Sequence, residues 1–548
     1  MSTAQAAPRQ PTVPPESGQL TAARLSAVHR AARLYGTPAY VYDLAEVRSA
    51  HAELTALLPE RSLLYYSVKA NPHPVVCREL AGLGCGAEVS SAGEVQTCIA
   101  AGFPADRCLF TGPGKTPAEI SQAIRDGIRD FSVESPADLR RVAAAAATAG
   151  TRLRCLLRVN LDTRVPGMGL TMTGVASQFG TDARQVLDRP GDFADDDYAR
   201  LTGVHLFMGS NLADQDVLVR QFDVALQSVT GLESALGRPL PFIDLGGGFA
   251  APFARPGGRP YYAGLRERLA ELVARRLPGG QPRQLAFESG RYLVGGCGIL
   301  VARVLDVKDS KGSTFVVLDS GINHLGGMAG LRRVPSARVE PLAARPATPA
   351  DTSGEIPDCY FAGPLCTPLD TWARGVTAPP LRAGDLVTVP NVGGYGLTAS
   401  LLAFLSRAAA VEVIVDGSEI RTADRLTLTR QAEHPRPAHP RAAHPRAAHP
   451  CPSGHRIVGS ADSGDTAMLD PAFDQILRRH LKYLDPGDAL DPDQPLRDLG
   501  LDSMQAVELL FDVEDRFDRV LDDEELTAET FATARSLWAV ISGDGSGS

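Results

Sequence analysis

Lys69 stands directly after an apolar run, LLYYSV, within the segment YYSVKANPHP. An ammonium there is costly to bury unless it is paired or used covalently. Taken alone, such a lysine is more often a strand-end residue that keeps its charged head in water. Gly246, Gly247 and Gly248 follow a second apolar run, PFIDL. With no Cβ in the way, their backbone N–H groups can close round an anion, although a lone glycine triplet is usually just a turn. A third run, QLAFE, ends on Glu288 and continues into Ser289, Gly290 and Arg291. An amine, an anion cradle and a carboxylate carry chemistry only if the fold brings them to one place.

The elements that would do so are legible as eight short apolar runs between Leu63 and Glu288. They are LLYYSV near 63–68, GAEV at 86–89, CLFT at 108–111, DFSV at 130–133, LRCLLRV at 153–159, GVHLF at 203–207, PFIDL at 241–245 and QLAFE at 284–288. Helical patterns such as 135–149, 214–236 and 260–277 fall between them. Eight strands alternating with helices predict an α/β fold, a (β/α)8 barrel over 45–290. Beyond Glu288 the runs GILVARVLDV, STFVVLD and DLVTVP are rich in β-branched residues and bounded by Gly and Asp. They predict a second β-domain built from 21–44 and 291–420. A barrel carries its active site at the C-terminal ends of its strands. Lys69, the HLFMGSN segment after strand six, the glycines after strand seven and Glu288 after strand eight therefore share one mouth. Pyridoxal 5'-phosphate needs those parts: a lysine for its aldehyde, a donor-rich loop for its phosphate and an acid partner for its ring nitrogen.

These segments resemble the fold-type III pyridoxal-phosphate decarboxylases, which act on diaminopimelate, ornithine or arginine. The resemblance spans roughly 25–420, with six motifs in the same order. It implies that Lys69 in YYSVKAN binds the cofactor covalently and that Ser210 in HLFMGSN binds its phosphate. Phe207 falls where the family usually has a ring-stacking histidine. The resemblance further implies that Gly246, Gly247, Gly248, Gly290, Arg291 and Tyr395 (in NVGGYGLTAS) surround the cofactor, and that Glu288 meets its ring nitrogen. In GPLCTPLD, Cys366 would be a proton donor reaching into the neighbouring subunit of a homodimer. Thr367 and Asp370 of that loop would face substrate. Thr367 departs from the usual acidic residue, which weakens any reading of a free diamino substrate. Gln178-Phe179-Gly180 replaces a usual Lys-Phe-Gly.

Of 548 residues, 44% are hydrophobic and 22% charged, which excludes wholesale disorder. The charge is unevenly placed. Residues 461–548 hold 21 Asp and Glu against 7 Lys and Arg, a net −14 within an overall −9. That sign disfavours nucleic acid and favours recognition of the acidic segment by a basic protein surface. No apolar stretch reaches membrane-span length, and the Ser400–Val415 run is broken by Arg407 and Glu412. Residues 1–20 read as a disordered tail, neither signal peptide nor anchor. Nine scattered cysteines without a C-x-x-C pair fit a reducing cytoplasm and no metal site. The repeat carrying His434, His439, His444 and His449 could bind metal. Proline after each histidine favours instead a semi-rigid linker over 421–460.

Within the acidic segment, DLGLDSMQAVELLFDVEDRF places Met504, Val507, Leu510, Phe511 and Phe517 on a helical stripe behind Ser503. Asp-Ser before such a helix is usually only an N-cap. The surroundings over 465–541 resemble acyl carrier proteins. That resemblance implies an all-α four-helix acyl carrier domain over 461–541 with 4'-phosphopantetheine on Ser503. It also implies a phosphopantetheinyl transferase, an amino-acid-loading ligase and a downstream acyltransferase or synthase as partners.

A carrier holds cargo as a thioester, which uses one carboxyl group, whereas α-decarboxylation needs a free α-amino group and a free α-carboxylate. One molecule satisfies both only if it is a dicarboxylic amino acid, such as glutamate, aspartate or methylaspartate, bound through its side chain. The product would be an ω-aminoacyl thioester for natural-product biosynthesis. The alternatives are a decarboxylase of a free amino acid with a fused carrier, and a scaffold that merely presents a carrier without binding pyridoxal phosphate.

Overall fold

The computed structural model describes residues 21–163, 170–171, 173–174, 177–278, 282–326, 338–342 and 354–430, and within 469–542 residues 469–481, 484, 490–501, 506, 509–510, 512–513, 516–517 and 529–542. The chain divides into two compact units, Met1–Glu433 and His434–Ser548. The predicted tail over 1–20, the His-Pro repeat and Ser503 lie outside the described residues.

Eight parallel strands close a barrel in the first unit: Leu63–Ser67, Gly86–Val89, Cys108–Phe110, Asp130–Val133, Leu153–Asn160, Ala199–His205, Phe242–Asp244 and Gln284–Ser289. The last pairs with the first through Glu288 opposite Tyr65, which completes the ring. All eight fall on the expected runs. The sixth differs, starting at Ala199 and stopping at His205, so Leu206 and Phe207 already belong to the loop at the mouth. The helices between strands begin at side-chain caps that satisfy their first N–H groups, as at Ser91, Ser135 and Asp214. Thr116 and Glu119 form a reciprocal capping box. Strand side chains alternate between two faces. Leu64, Ala87, Phe110, Phe131, Leu157, Val204, Ile243 and Phe287 join the main core. Tyr65, Leu109, Leu156 and Ala286 form a separate cluster on the opposite face, inside the barrel.

The second domain is one mixed sheet. Its path runs Thr371–Ala378, Ile356–Ala362, Ser313–Leu318, Gly298–Ser310, Ala39–Asp43, Val411–Asp416 and Glu419–Arg425. The early strand Ala39–Asp43 lies at its centre, antiparallel to Gly298–Ser310 and parallel to Val411–Asp416. Helix Ala22–Tyr35 covers that region with Ala27, Val28, Ala31 and Ala32. The expected linker begins too early: Glu419–Arg425 pairs with Val411–Asp416, so residues to 425 belong to the sheet.

The two domains are pinned where Lys69 sits. Asn71 donates from Nδ2 to the Gly393 carbonyl at 2.8 Å, and the Tyr395 N–H donates to Ala70 O at 2.7 Å. Gly393 is required there, because a Cβ would lie 1.9 Å from Val294 O.

In the second unit, helices Pro471–Arg479 and Ala534–Ser542 bury Phe473, Ile476, Leu477, Leu537 and Ile541 against Leu499, Leu509, Leu510 and Val513. Leu510 of the expected stripe is buried, and Phe517 packs on Trp538 at 5.4 Å. Met504, Val507 and Phe511 lie outside the described residues. Among the described residues, no helix is long and apolar enough to cross a membrane.

Buried acids make the first unit's stability pH-dependent, and Glu412 in the second domain is one of them. Burial raises Glu412 from 4.5 to about 7, against the opposing effect of a hydrogen bond from Tyr42 at 3.1 Å. A raised carboxyl stabilises the fold below its unfolded pKa, and that contribution is lost as pH climbs through about 7. Glu412→Gln should therefore remove part of the decline in melting temperature between pH 5 and pH 8, the remainder belonging to acids such as Asp244. Scanning calorimetry of both proteins across that range is the check.

Candidate active site

The inward positions at the C-terminal end of the barrel are polar. Ser67, Glu88, Thr111, Ser132, Arg158, His205, Asp244 and Glu288 come from eight different strands or strand ends, and all are buried. Lys69 joins them from a short 3-10 turn, Val68–Ala70, that follows the first strand. Its Nζ donates to both Glu88 oxygens, at 3.1 and 3.0 Å. The Lys69 side chain is nevertheless 44% exposed, because it lines the mouth that water enters. Desolvation works to lower the Lys69 pKa, but Glu88, then Tyr395 and Glu288, outweigh it and raise it. Burial likewise opposes the Glu88 carboxylate, yet Lys69 and a 2.6 Å hydrogen bond from Thr111 hold it down at about 2. The free protein thus keeps Lys69 as an ammonium, clamped on a carboxylate.

Opposite this pair, Glu288 Oε1 lies 3.2 Å from His205 Nε2. The Gly246–Gly248 turn fits an anion cradle. Gly246 has φ +64°, and a Cβ on it would lie 2.6 Å from Phe207 Cδ2. A Cβ on Gly247 would lie 2.8 Å from Glu288 O. Phe207 thus lies against the glycines, with its ring 5.9 Å from the Arg158 guanidinium. Gly290 is forced by close packing, since its Cβ would lie 2.7 Å from Ala70 Cβ. Arg291 stacks on Tyr395 at 4.9 Å, and its buried Nε has no hydrogen-bond partner. Burial lowers its pKa, and no carboxylate pairs with it among the described residues. A buried guanidinium without a counter-charge, three residues after the Glu288 whose backbone packs on the glycine turn, suits a phosphate. Glu288 Oε1, unpartnered and buried, suits a ring N–H. The residues present therefore fit pyridoxal phosphate. Ser210 lies in a two-residue pairing of Gly209–Ser210 with Leu170–Thr171.

The GPLCTPLD loop lies in the second domain. Cys366 is exposed, while the other cysteines among the described residues are buried. Thr367 accepts the Leu369 N–H at 3.3 Å. Asp370 departs from its expected substrate role. It is buried, and its oxygens accept the N–H groups of Ile322 and Leu365, each at 2.7 Å. It anchors the loop that displays Cys366. Glu88, Arg158, His205 and Asp244 were not singled out in the sequence. Arg158 and Asp244 stand two residues beyond the inward Leu156 and Phe242, so period-two counting could have found them, whereas Glu88 and His205 follow Gly86 and Gly203, which carry no side chain to mark the inward face. Arg158 pairs with buried Glu134 at 3.1 Å, and Glu134 accepts the Gly180 N–H at 2.8 Å. That ties down the Gln178-Phe179-Gly180 loop. Phe179 covers Arg158, its ring centre 4.8 Å from the guanidinium carbon.

Comparison with known proteins agrees with this geometry. The profile of the pyridoxal-dependent decarboxylase pyridoxal-binding domain matches residues 44–295, and that of the phosphopantetheine attachment site matches 473–541. The diaminopimelate decarboxylase of Zymomonas mobilis is 30% identical over 390 residues, covering 70% of this chain and 89% of that one. The L-glutamyl-(BtrI acyl-carrier protein) decarboxylase of Niallia circulans is 30% identical over 383 residues, covering 69% and 89%. The crystal structure of Helicobacter pylori diaminopimelate decarboxylase with L-lysine superposes with a TM-score of 0.62 at 26% identity, covering 72% and 95%. The chain belongs to the pyridoxal-dependent decarboxylases. It is a carbon–carbon lyase whose cofactor is pyridoxal 5'-phosphate, joined to a C-terminal module with a phosphopantetheine attachment site.

Glu88→Gln should lower the Lys69 pKa by about 1–3 units, because the carboxylate that favours the ammonium is gone. A lysine must lose its proton before it can attack a carbonyl. Cofactor attachment, followed by absorbance from pH 6 to 10, should therefore shift to lower pH in the variant.

Proposed function

We propose that this chain removes the α-carboxyl group of a dicarboxylic amino acid held through its side-chain carboxyl as a thioester on a carrier protein, leaving an ω-aminoacyl thioester. The observation that carries this reading is the presence of a phosphopantetheine attachment site on the same chain as a pyridoxal-phosphate decarboxylase. A thioester occupies one carboxyl group and decarboxylation consumes another. The substrate class is therefore an amino acid with two, of which glutamyl, aspartyl and methylaspartyl are the short members. The Niallia circulans relative, named for a glutamyl group on a carrier protein, supports it. Thr367, neutral and short, supports it too, because a tethered distal end carries no ammonium to grip.

Pyridoxal phosphate supplies the electron sink for the pair left when the α-carboxylate departs as CO2. In this reading Lys69 Nζ would hold the cofactor and give way to the substrate amine. Glu88 then receives the freed lysine as an ammonium, 3.0 Å away in the resting pair. Glu288 would meet the ring nitrogen, and Ser210, the Gly246–Gly248 turn, Arg291 and Tyr395 would hold the phosphate. Phe207, packed against Gly246 and Gly247, would cover the cofactor ring. Cys366 Sγ or Lys69 Nζ returns one proton to Cα, balancing the CO2 lost. Cys366 is exposed on a loop of the second domain, which suits completion of a neighbour's mouth in a homodimer. The phosphopantetheine is carried on Ser503, and its tether raises the local concentration of cargo.

Diaminopimelate decarboxylases among the relatives favour a second reading, in which a free amino acid is the substrate. CO2 release from free and carrier-bound glutamate and aspartate separates the two. Wild type should turn over the side-chain thioester at least tenfold faster than the free acid, on the order of the gain tethering supplies. Ser503→Ala should keep cofactor absorbance and lose turnover of its own tethered cargo. Equal turnover of free amino acid by both proteins would replace the tethered reading with the second one.

A further inference from the structure

Below the glycine turn, four buried side chains from four strands form a chain of contacts that the established chemistry does not use in full. Ser132, His205, Asp244 and Glu288 are 0%, 1%, 0% and 2% exposed. Ser132 Oγ and His205 Nδ1 are 2.8 Å apart, and His205 Nε2 approaches Glu288 Oε1 at 3.2 Å. That second contact lacks the alignment of a hydrogen bond, so Nε2 and Oε1 both stand unsatisfied, as does Asp244 Oδ2. The other Asp244 oxygen accepts the Gly246 N–H at 2.9 Å. The arrangement links the glycine turn to the carboxylate that faces the ring nitrogen. Unsatisfied buried polar atoms are costly, and three of them in one cluster mark a site that tightens when its ligand arrives.

We infer that His205, steered by Ser132, is a positioning residue that holds the Glu288 carboxylate against the ring nitrogen of the bound cofactor. The inference rests on the placement of Glu288 at that nitrogen. Burial disfavours the His205 cation while Glu288 and then Asp244 favour it, and the balance is raised. Burial and the nearby Glu288 charge push Asp244 up to about 7. Histidine donating from Nε2 leaves Nδ1 to accept from Ser132, which fixes the tautomer and aims the ring. Without that clamp, Glu288 keeps its charge but loses its single orientation. His205, Asp244 and Glu288 also have the donor spacing of a cation site, and the test below includes that outcome.

The full-length chain, freed of cofactor, is titrated with pyridoxal phosphate and with its carbon analogue, in which CH replaces the ring nitrogen. Glu288→Gln should weaken the nitrogen ligand selectively. His205→Asn should do the same, by about tenfold, and leave the carbon analogue's affinity within twofold. In a Glu288→Gln background, His205→Asn should have no further selective effect, because one residue acts through the other. Ser132→Ala, a smaller change, should shift selectivity in the same direction if His205→Asn fails to fold. Equal losses for both ligands in His205→Asn and Ser132→Ala, or additive selectivity in the double variant, would overturn the inference. If Glu288→Gln itself is unselective, the placement of Glu288 is wrong and the inference falls with it. A stoichiometric metal ion in the purified protein that is lost in His205→Asn would assign the cluster to cation binding instead.

Discussion

A charged amine held at the mouth of a barrel, above an apolar floor, is the constraint on which the rest depends. Lys69 cannot rest there without a counter-charge, and Glu88 on the neighbouring strand supplies it at 3.0 Å. Glu88 in turn is buried and needs Thr111 from the next strand. The same demand recurs round the ring as Arg158 with Glu134, and His205 with Glu288. Parallel strands place such residues at one level because every second side chain points inward. The barrel therefore has an apolar floor of Tyr65, Leu109, Leu156 and Ala286 beneath a polar rim. Replacing a single rim charge would strand its partner, which is more damaging than never having had the pair.

The second domain is coupled to that rim through backbone. The segment after Lys69 is bonded to the Gly393–Tyr395 loop, and the close approach at Gly393 and Gly298 admits no side chain. Tyr395 and Arg291 stack where the domains meet. The proposed cofactor residues thus come from both domains, whereas the carrier module is a separate folding unit with its own core. That separation suits a cargo arm that travels. In the proposed reaction, chemistry links the two units: one carboxyl group would be tied up by the thioester and the other would leave as CO2.

The strands were legible because each is a short apolar run between polar punctuation, and eight in alternation with helices leave few other folds. Their polar residues were legible only where they broke the run, as Lys69 and Glu288 do. Glu88 and Asp244 sit inside GAEV and PFIDL, where a carboxylate reads as an interruption until inward and outward positions are counted. His205 lay in view within HLFMGSN, but its partner Ser132 is distant in sequence and reaches it only across the barrel. The start of strand six was misplaced because Ala199–Thr202, with Arg200 and the small Thr202, lacks an apolar signature. Asp370 resembled a substrate residue by its place in the loop, and only three-dimensional packing shows it consumed by backbone N–H groups. Residues 421–425 read as linker because they are polar and charged, yet they complete the edge strand Glu419–Arg425, and an edge strand tolerates charge on its open side.

The central claim is that Lys69 is the residue that carries the cofactor. The chain has five lysines, Lys69, Lys115, Lys308, Lys311 and Lys482, so the alternatives can be enumerated. Lys115 is the serious competitor, being buried and paired with Asp138 at 2.8 Å. Borohydride reduction of the holoenzyme, followed by mass mapping of peptides, should find the pyridoxyl adduct on Lys69 alone. An adduct on Lys115 or any other lysine, with Lys69 unmodified, would contradict the account.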